Sequence, residues 1–72
     1  MIPFLLDTYE PFLEARLEDR VYYVWPRQER FEVDGYYYEP NFSIPIKLGM
    51  FPNIYEALEA ANNHFSKDQN DA

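Results

Sequence analysis

The sequence predicts a small α+β domain: an N-terminal helix, a three- to four-stranded antiparallel β-meander, and a C-terminal helix packed on the sheet. Three observations predict it. Apolar residues recur at helical spacing near both ends of the chain. Aromatic and β-branched residues fill the middle. Asp34-Gly35, a strong short hairpin signal, sits inside that middle stretch.

The first element is read from "TYEPFLEARLEDR", residues 8–20. Asp7 or Thr8 is placed to cap a helix there. Pro11 falls in its first turn, where no intrahelical donor is required. Tyr9, Phe12, Leu13 and Leu17 form its apolar stripe. Arg16 and Arg20 suit the negative end of the macrodipole.

"VYYVW", residues 21–25, reads as a strand stopped by Pro26. "PRQE" follows as a polar turn, with Pro26 suited to its second position. The stretch "RFEVDGYYY", residues 30–38, then carries three consecutive tyrosines. A two-residue turn at Asp34-Gly35 pairs Phe31 with Tyr38 and Val33 with Tyr36, and directly paired residues share a face. Tyr37 then falls on the opposite face with Arg30, Glu32 and Glu39. A strand running straight through Gly35 places Tyr37 with Phe31 and Val33 instead. The turn separates apolar from charged residues more cleanly and is the preferred reading.

"EPNF", residues 39–42, is a loop. "SIPIKL", residues 43–48, is a strand, and because proline cannot donate to a ladder, Pro45 marks an edge strand or the irregular start of one. "GMFP" breaks the chain. Asn53 and Glu56 have the spacing of a capping box. Ile54, Leu58, Ala61 and Phe65 then line one face of the second helix. Residues 1–65 form one domain, and the polar residues 66–72 form a disordered tail.

With 72 residues the core is small, so stability must come from few, large side chains. Seven Tyr, six Phe and one Trp supply them. A homodimer or a partner interface would add to that core. The absence of cysteine rules out disulfides and thiolate metal sites. A single histidine leaves no structural zinc motif, and no cofactor signature is present. "MIPFLLDTYE" lacks the basic region and cleavage pattern of a signal peptide. No stretch nears the ~18 apolar residues of a membrane span. A cytoplasmic protein without membrane contact is expected.

The net charge is −7, with 13 acids against six bases. That balance argues against direct nucleic-acid binding and toward a protein partner, such as a basic or nucleic-acid-binding one. Glu10, Glu14 and Glu18 stand at i, i+4 and i+8. On a helix they form a carboxylate row with a pitch of about 6 Å, suited to imitating phosphates. The ordinary alternative is a solvated helix face. Tyr22, Trp25 and Tyr37 are candidate docking residues on an uncovered sheet face, flanked by Glu32 and Glu39. The alternative is a second small core under a helix. Arg16, Arg20, Arg27, Arg30 and Lys47 become a nucleic-acid surface only if the fold makes them contiguous. His64 stands alone, without a nucleophile or orienting partner legible in the sequence.

The expected function is a non-catalytic, acidic protein-binding module. In one version it is an inhibitor that fills the basic groove of a nucleic-acid-handling protein. Small acidic inhibitors of phages and mobile elements share this size and charge. In the other it is a regulatory or assembly adaptor with no mimicry.

Overall fold

The computed structural model describes residues 1–6 and 11–70. Its elements are β1 (Leu5–Leu6), β2 (Leu13–Arg16), β3 (Arg20–Arg27), β4 (Arg30–Tyr38), β5 (Ser43–Phe51) and α1 (Ile54–Asn70). The strands form one antiparallel sheet in sequence order, β1-β2-β3-β4-β5. The architecture is thus a five-stranded meander with a single C-terminal helix among the described residues. The expected N-terminal helix and the three- to four-stranded sheet are both corrected.

The first correction has a period-2 cause. Ala15 is fully buried and Leu13 half-buried, while Glu14 and Arg16 point to the other face and pair with each other. That alternation is a strand's. Leu13 and Leu17 also fit a helical stripe, and pairing with β3 decides between the two periods. Leu17 and Arg20 close a two-residue loop, with the Leu17 amide donating to the Arg20 carbonyl at 2.8 Å. The expected cap at Asp7 or Thr8, and Tyr9, lie outside the described residues.

The second correction concerns Asp34-Gly35. There is no turn there: β4 runs straight from Arg30 to Tyr38. The β3–β4 hairpin closes earlier, at Gln28-Glu29, between the paired Arg27 and Arg30. Glu29 takes the positive φ of 54° that this tight loop requires. Gly35 is needed for a different reason. A Cβ built there would lie 1.9 Å from the Val21 carbonyl oxygen. Glycine permits the two backbones to approach. Asp34 is also accounted for, since it accepts a hydrogen bond from Trp25 Nε1 at 2.6 Å.

β5 is an edge strand, as Pro45 indicated, but it does not end at Gly49. Val33 pairs with Gly49 and Asp34 with Lys47, so Leu48 is the extra residue of a bulge. Gly49 supplies its φ of 109°, a conformation glycine adopts freely. The bulge bends the strand without stopping it, and Phe51 reaches the core.

α1 begins as expected. The Glu56 amide donates to Asn53 Oδ1 at 2.9 Å, and Asn53 Nδ2 donates to Glu56 Oε2 at 3.0 Å. Ala57 and Ala61 are fully buried, which lets the helix sit close to the sheet. The helix continues to Asn70, so residues 66–70 are helical where a tail was expected.

The core lies between α1 and one face of the sheet. It contains Tyr22, Val24, Val33 and Ile46 from β3, β4 and β5, with Ala15 from β2 and Ile2 from the N-terminal segment. The Ile2 amide is anchored to Asn62 Oδ1 of α1 at 2.7 Å. No helix among the described residues is long and apolar enough to cross a membrane.

Candidate functional site

Register assigns each side chain of β3 and β4 to a face. Arg20, Tyr22, Val24, Val33, Gly35 and Tyr37 face α1. Val21, Tyr23, Trp25, Arg27, Arg30, Glu32, Asp34, Tyr36 and Tyr38 face away from it. No described helix covers this second face.

An aromatic layer occupies the middle of the helix-free face. Tyr23 packs against Trp25 with ring centroids 5.8 Å apart and against Tyr36 at 6.2 Å. Tyr38 meets Tyr36 edge-on at 5.7 Å. Val21 lies on this face and is fully buried, so the neighbouring side chains seal the backbone from water. Tyr23, Trp25 and Tyr36 are half-buried and Tyr38 is exposed. Burial and the Tyr36 hydroxyl push the Tyr23 phenol up to about 12.

Charge surrounds the layer. Glu14 pairs with Arg16 on β2. Arg27 pairs with Glu32 at 2.8 Å and its guanidinium lies 5.4 Å from the Trp25 ring centre. Arg30 stands at the hairpin end, and Lys47 reaches the same face from β5. An apolar centre with a polar rim is the anatomy of a protein–protein interface. Tyr, Trp and Arg are also the residue types enriched at its energetic centre.

A second cluster lies beneath the C-terminal half of α1. Arg20 is only 2% exposed. Its guanidinium donates to both carboxylate oxygens of Asp19, at 3.0 and 2.8 Å. Nη1 donates to Tyr22 Oη at 3.1 Å and to Asp68 Oδ2 at 2.6 Å. The rings of Tyr37 and Phe65 lie 4.8 and 5.1 Å from the charge. Tyr22 Oη meets His64 Nδ1 at 2.7 Å. Tyr37 Oη meets His64 Nε2 at 3.4 Å and donates to Asp68 at 3.0 Å.

These contacts close a ring. Because Arg20 donates to Tyr22, the Tyr22 hydroxyl is free to donate to Nδ1. Because Tyr37 donates to Asp68, it accepts from Nε2–H. The pattern selects neutral His64 with its proton on Nε2. Burial and the positive charges of Arg20 and Lys67 lower the His64 pKa against the opposing effect of Asp68. Hydrogen bonds from Arg20 hold Asp19 and Asp68 below the usual carboxylate range. Burial raises Tyr22 and Tyr37. Among the described residues no buried side-chain polar atom lacks a partner, and no cluster of potential metal ligands occurs. The ring joins β3, β4 and α1, which is what a structural clamp does.

The structure separates the residues singled out from sequence. Trp25, Glu14 and Glu32 share the helix-free face. Tyr22 and Tyr37 belong to the covered face and the clamp. Glu18 and Glu39 are exposed in loops. Glu10 lies outside the described residues. Glu14 belongs to a strand and Glu18 to a loop, so the helical carboxylate row is absent. Sequence reasoning missed Tyr36 and Tyr38 as surface residues because it placed a turn at Asp34-Gly35, and it missed Tyr23 because it put Tyr22 on the face of Trp25, an odd separation that strand alternation divides between faces. Reading β4 as one strand would have found Tyr36 and Tyr38. Asp68 was missed because it was assigned to a tail, although His64 and Asp68 have the i, i+4 spacing of helix neighbours. No protein-family model, curated protein or solved structure matches the chain.

Proposed function

We propose that the protein is a non-catalytic binding module that docks a protein partner on its helix-free sheet face. One observation carries this reading. Tyr23, Trp25, Tyr36 and Tyr38 form a continuous aromatic layer there, bordered by Arg16, Arg27 and Arg30. A fold this small would gain from covering that layer, and a partner is the way to cover it. The helical carboxylate row no longer supports filling a basic groove. The adaptor version keeps its support, since it needs only the face.

The test is capture of a partner by the immobilised full chain, compared across variants. Tyr38→Ala is expected to abolish or sharply reduce capture while shifting stability by less than about 1 kcal/mol, because Tyr38 is exposed. Tyr55→Ala, on the exposed side of α1, is expected to leave capture intact. Retention by Tyr38→Ala together with loss by Tyr55→Ala would move the docking surface to the helix. Added DNA should leave an adaptor's partner bound and displace a partner held through its nucleic-acid site.

A further inference from the structure

Both ring nitrogens of His64 face a tyrosine hydroxyl of the sheet, and both hydroxyls have fixed roles. Tyr22 Oη accepts from Arg20 Nη1 at 3.1 Å, so its own proton goes to His64 Nδ1 at 2.7 Å. Tyr37 Oη gives its proton to Asp68 at 3.0 Å and accepts from His64 Nε2. The ring closes only around a neutral imidazole, because His64 must accept at Nδ1. An imidazolium donates from both nitrogens. The Tyr22 proton would then point at another donor, and the ring holds no spare acceptor for it. Asp68 meets the ring through Oδ2, which Arg20 and Tyr37 occupy, and both Asp19 oxygens are held by Arg20. Water cannot step in, since Tyr22 is fully buried. The charges around His64 point the same way on balance. Burial, Arg20 of β3 and Lys67 of α1 disfavour a proton on the ring, and Asp68 of α1 favours one. Tyr22 of β3 and Tyr37 of β4 have raised pKa values and stay neutral, and Asp19 is neutralised by Arg20.

The attachment of α1 is uneven along its length. Before His64, Ala57 and Ala61 are fully buried, Ile54 and Leu58 pack on the core, and Asn62 anchors the Ile2 amide. Beyond His64, Ser66 and Lys67 are exposed. The described side chains that reach the sheet there are Phe65 and Asp68, and both sit on Arg20. A helix end held by so few contacts opens more readily than the helix as a whole. We propose that His64 is a proton-operated latch: when its ring takes up a proton, residues 64–70 leave the sheet together, while the strands and the first part of α1 stay in place. Release gives the Tyr22 hydroxyl access to water, which provides the missing acceptor. It also uncovers Arg20, which is 2% exposed in the closed form. The sign follows from linkage. Once released, His64 regains its ordinary pKa near 6.5, above its value in the closed ring, so protons favour the released form as pH falls. The latch lies on the covered face of the sheet and stands independently of the docking face.

The experiment is an NMR titration of the full chain between about pH 7.5 and 5, which spans the ordinary histidine range. It follows the His64 ring signals and the backbone Cα shifts together. The expected result is a shared midpoint. The fraction of helical shift lost by residues 64–70 should equal the fraction of His64 protonated, while residues 54–61 and β2 to β5 keep theirs. Residues 64–70 staying helical around a protonated His64 would overturn the latch, because the ring would then accommodate an imidazolium. Loss of the strand shifts at the same midpoint would also overturn it, since the proton would be unfolding the whole domain. So would a His64 that stays neutral across the range. In His64→Gln, which takes up no proton there, residues 64–70 are expected to stay helical throughout. Release of that variant at the wild-type midpoint would overturn the assignment to His64. Should the substitution itself free the helix end at every pH, agreement of the two wild-type midpoints decides the question.

Discussion

The two faces of strands β3 and β4 are built from alternate residues of the same short segments, yet they solve the burial problem differently. Toward α1, Tyr22, Val24 and Val33 are fully buried against Ala57 and Ala61, and the one buried charge among the described residues is held in the Arg20–Tyr22–His64–Tyr37–Asp68 ring. Away from α1, aromatic rings lie over the sheet and leave their outer surfaces to solvent. A helix supplies apolar cover and satisfied polar contacts on one side. On the other, large side chains shield the backbone while keeping their outer surfaces in water. Tyrosine serves both, because its ring packs and its hydroxyl bonds. The difference teaches that residue type alone does not decide which side chains stay open to solvent; the neighbouring element does.

The largest test of this comparison is the residue that holds both faces together. Gly35→Ala would drive a methyl group into the β3 backbone at Val21. Flexible side chains cannot relieve that clash, so a loss of about 3 kcal/mol or more is expected, or failure to fold. Urea unfolding measures it, and a loss under about 1 kcal/mol would show that β3 and β4 can separate freely there.

Arg20→Met tests the covered face next. It removes the ring's donor while keeping an aliphatic chain under α1. Asp19 and Asp68 retain access to water, with side chains 56% and 40% exposed. The expected loss is therefore about 2 kcal/mol, below the 3–5 typical when a buried partner is stranded. A neutral or stabilising result would show that the clamp specifies geometry without adding stability.

The smallest effect is a pH dependence. The His64 pKa is lowered in the folded protein, so near pH 6.5 and just below it the unfolded chain binds more protons. Stability is fully present above about pH 6.5 and falls as pH drops toward the folded pKa. Asp19 and Asp68, held low, add a separate loss below about pH 4. The urea midpoint should therefore fall between pH 7.5 and 5.5, and His64→Gln should remove that slope. An unchanged slope in the variant would assign it to other groups.

What was legible in the sequence was what local chemistry controls. The strand at residues 21–25 follows from its β-branched and aromatic run, and the loop at 39–42 separates β4 from β5. Pro45 identifies an edge because a missing donor has the same consequence in any sheet. Asn53 and Glu56 start α1 because the cap is made within four residues. Tertiary structure decided the rest. Leu13, Ala15 and Leu17 fit a strand once β3 is present to pair with them, although Leu13 and Leu17 fit a helix alone. Gly35 looks like a turn residue in sequence, but its need for glycine comes from Val21, fourteen positions away in the chain. The faces of Tyr36, Tyr37 and Tyr38 follow from that one assignment, since period-2 alternation passes every error in register to all the residues beyond it. The same rule explains the charge. Composition determined that the protein is acidic, and only the alternation of β2 to β5 decided that four of its six bases share one face.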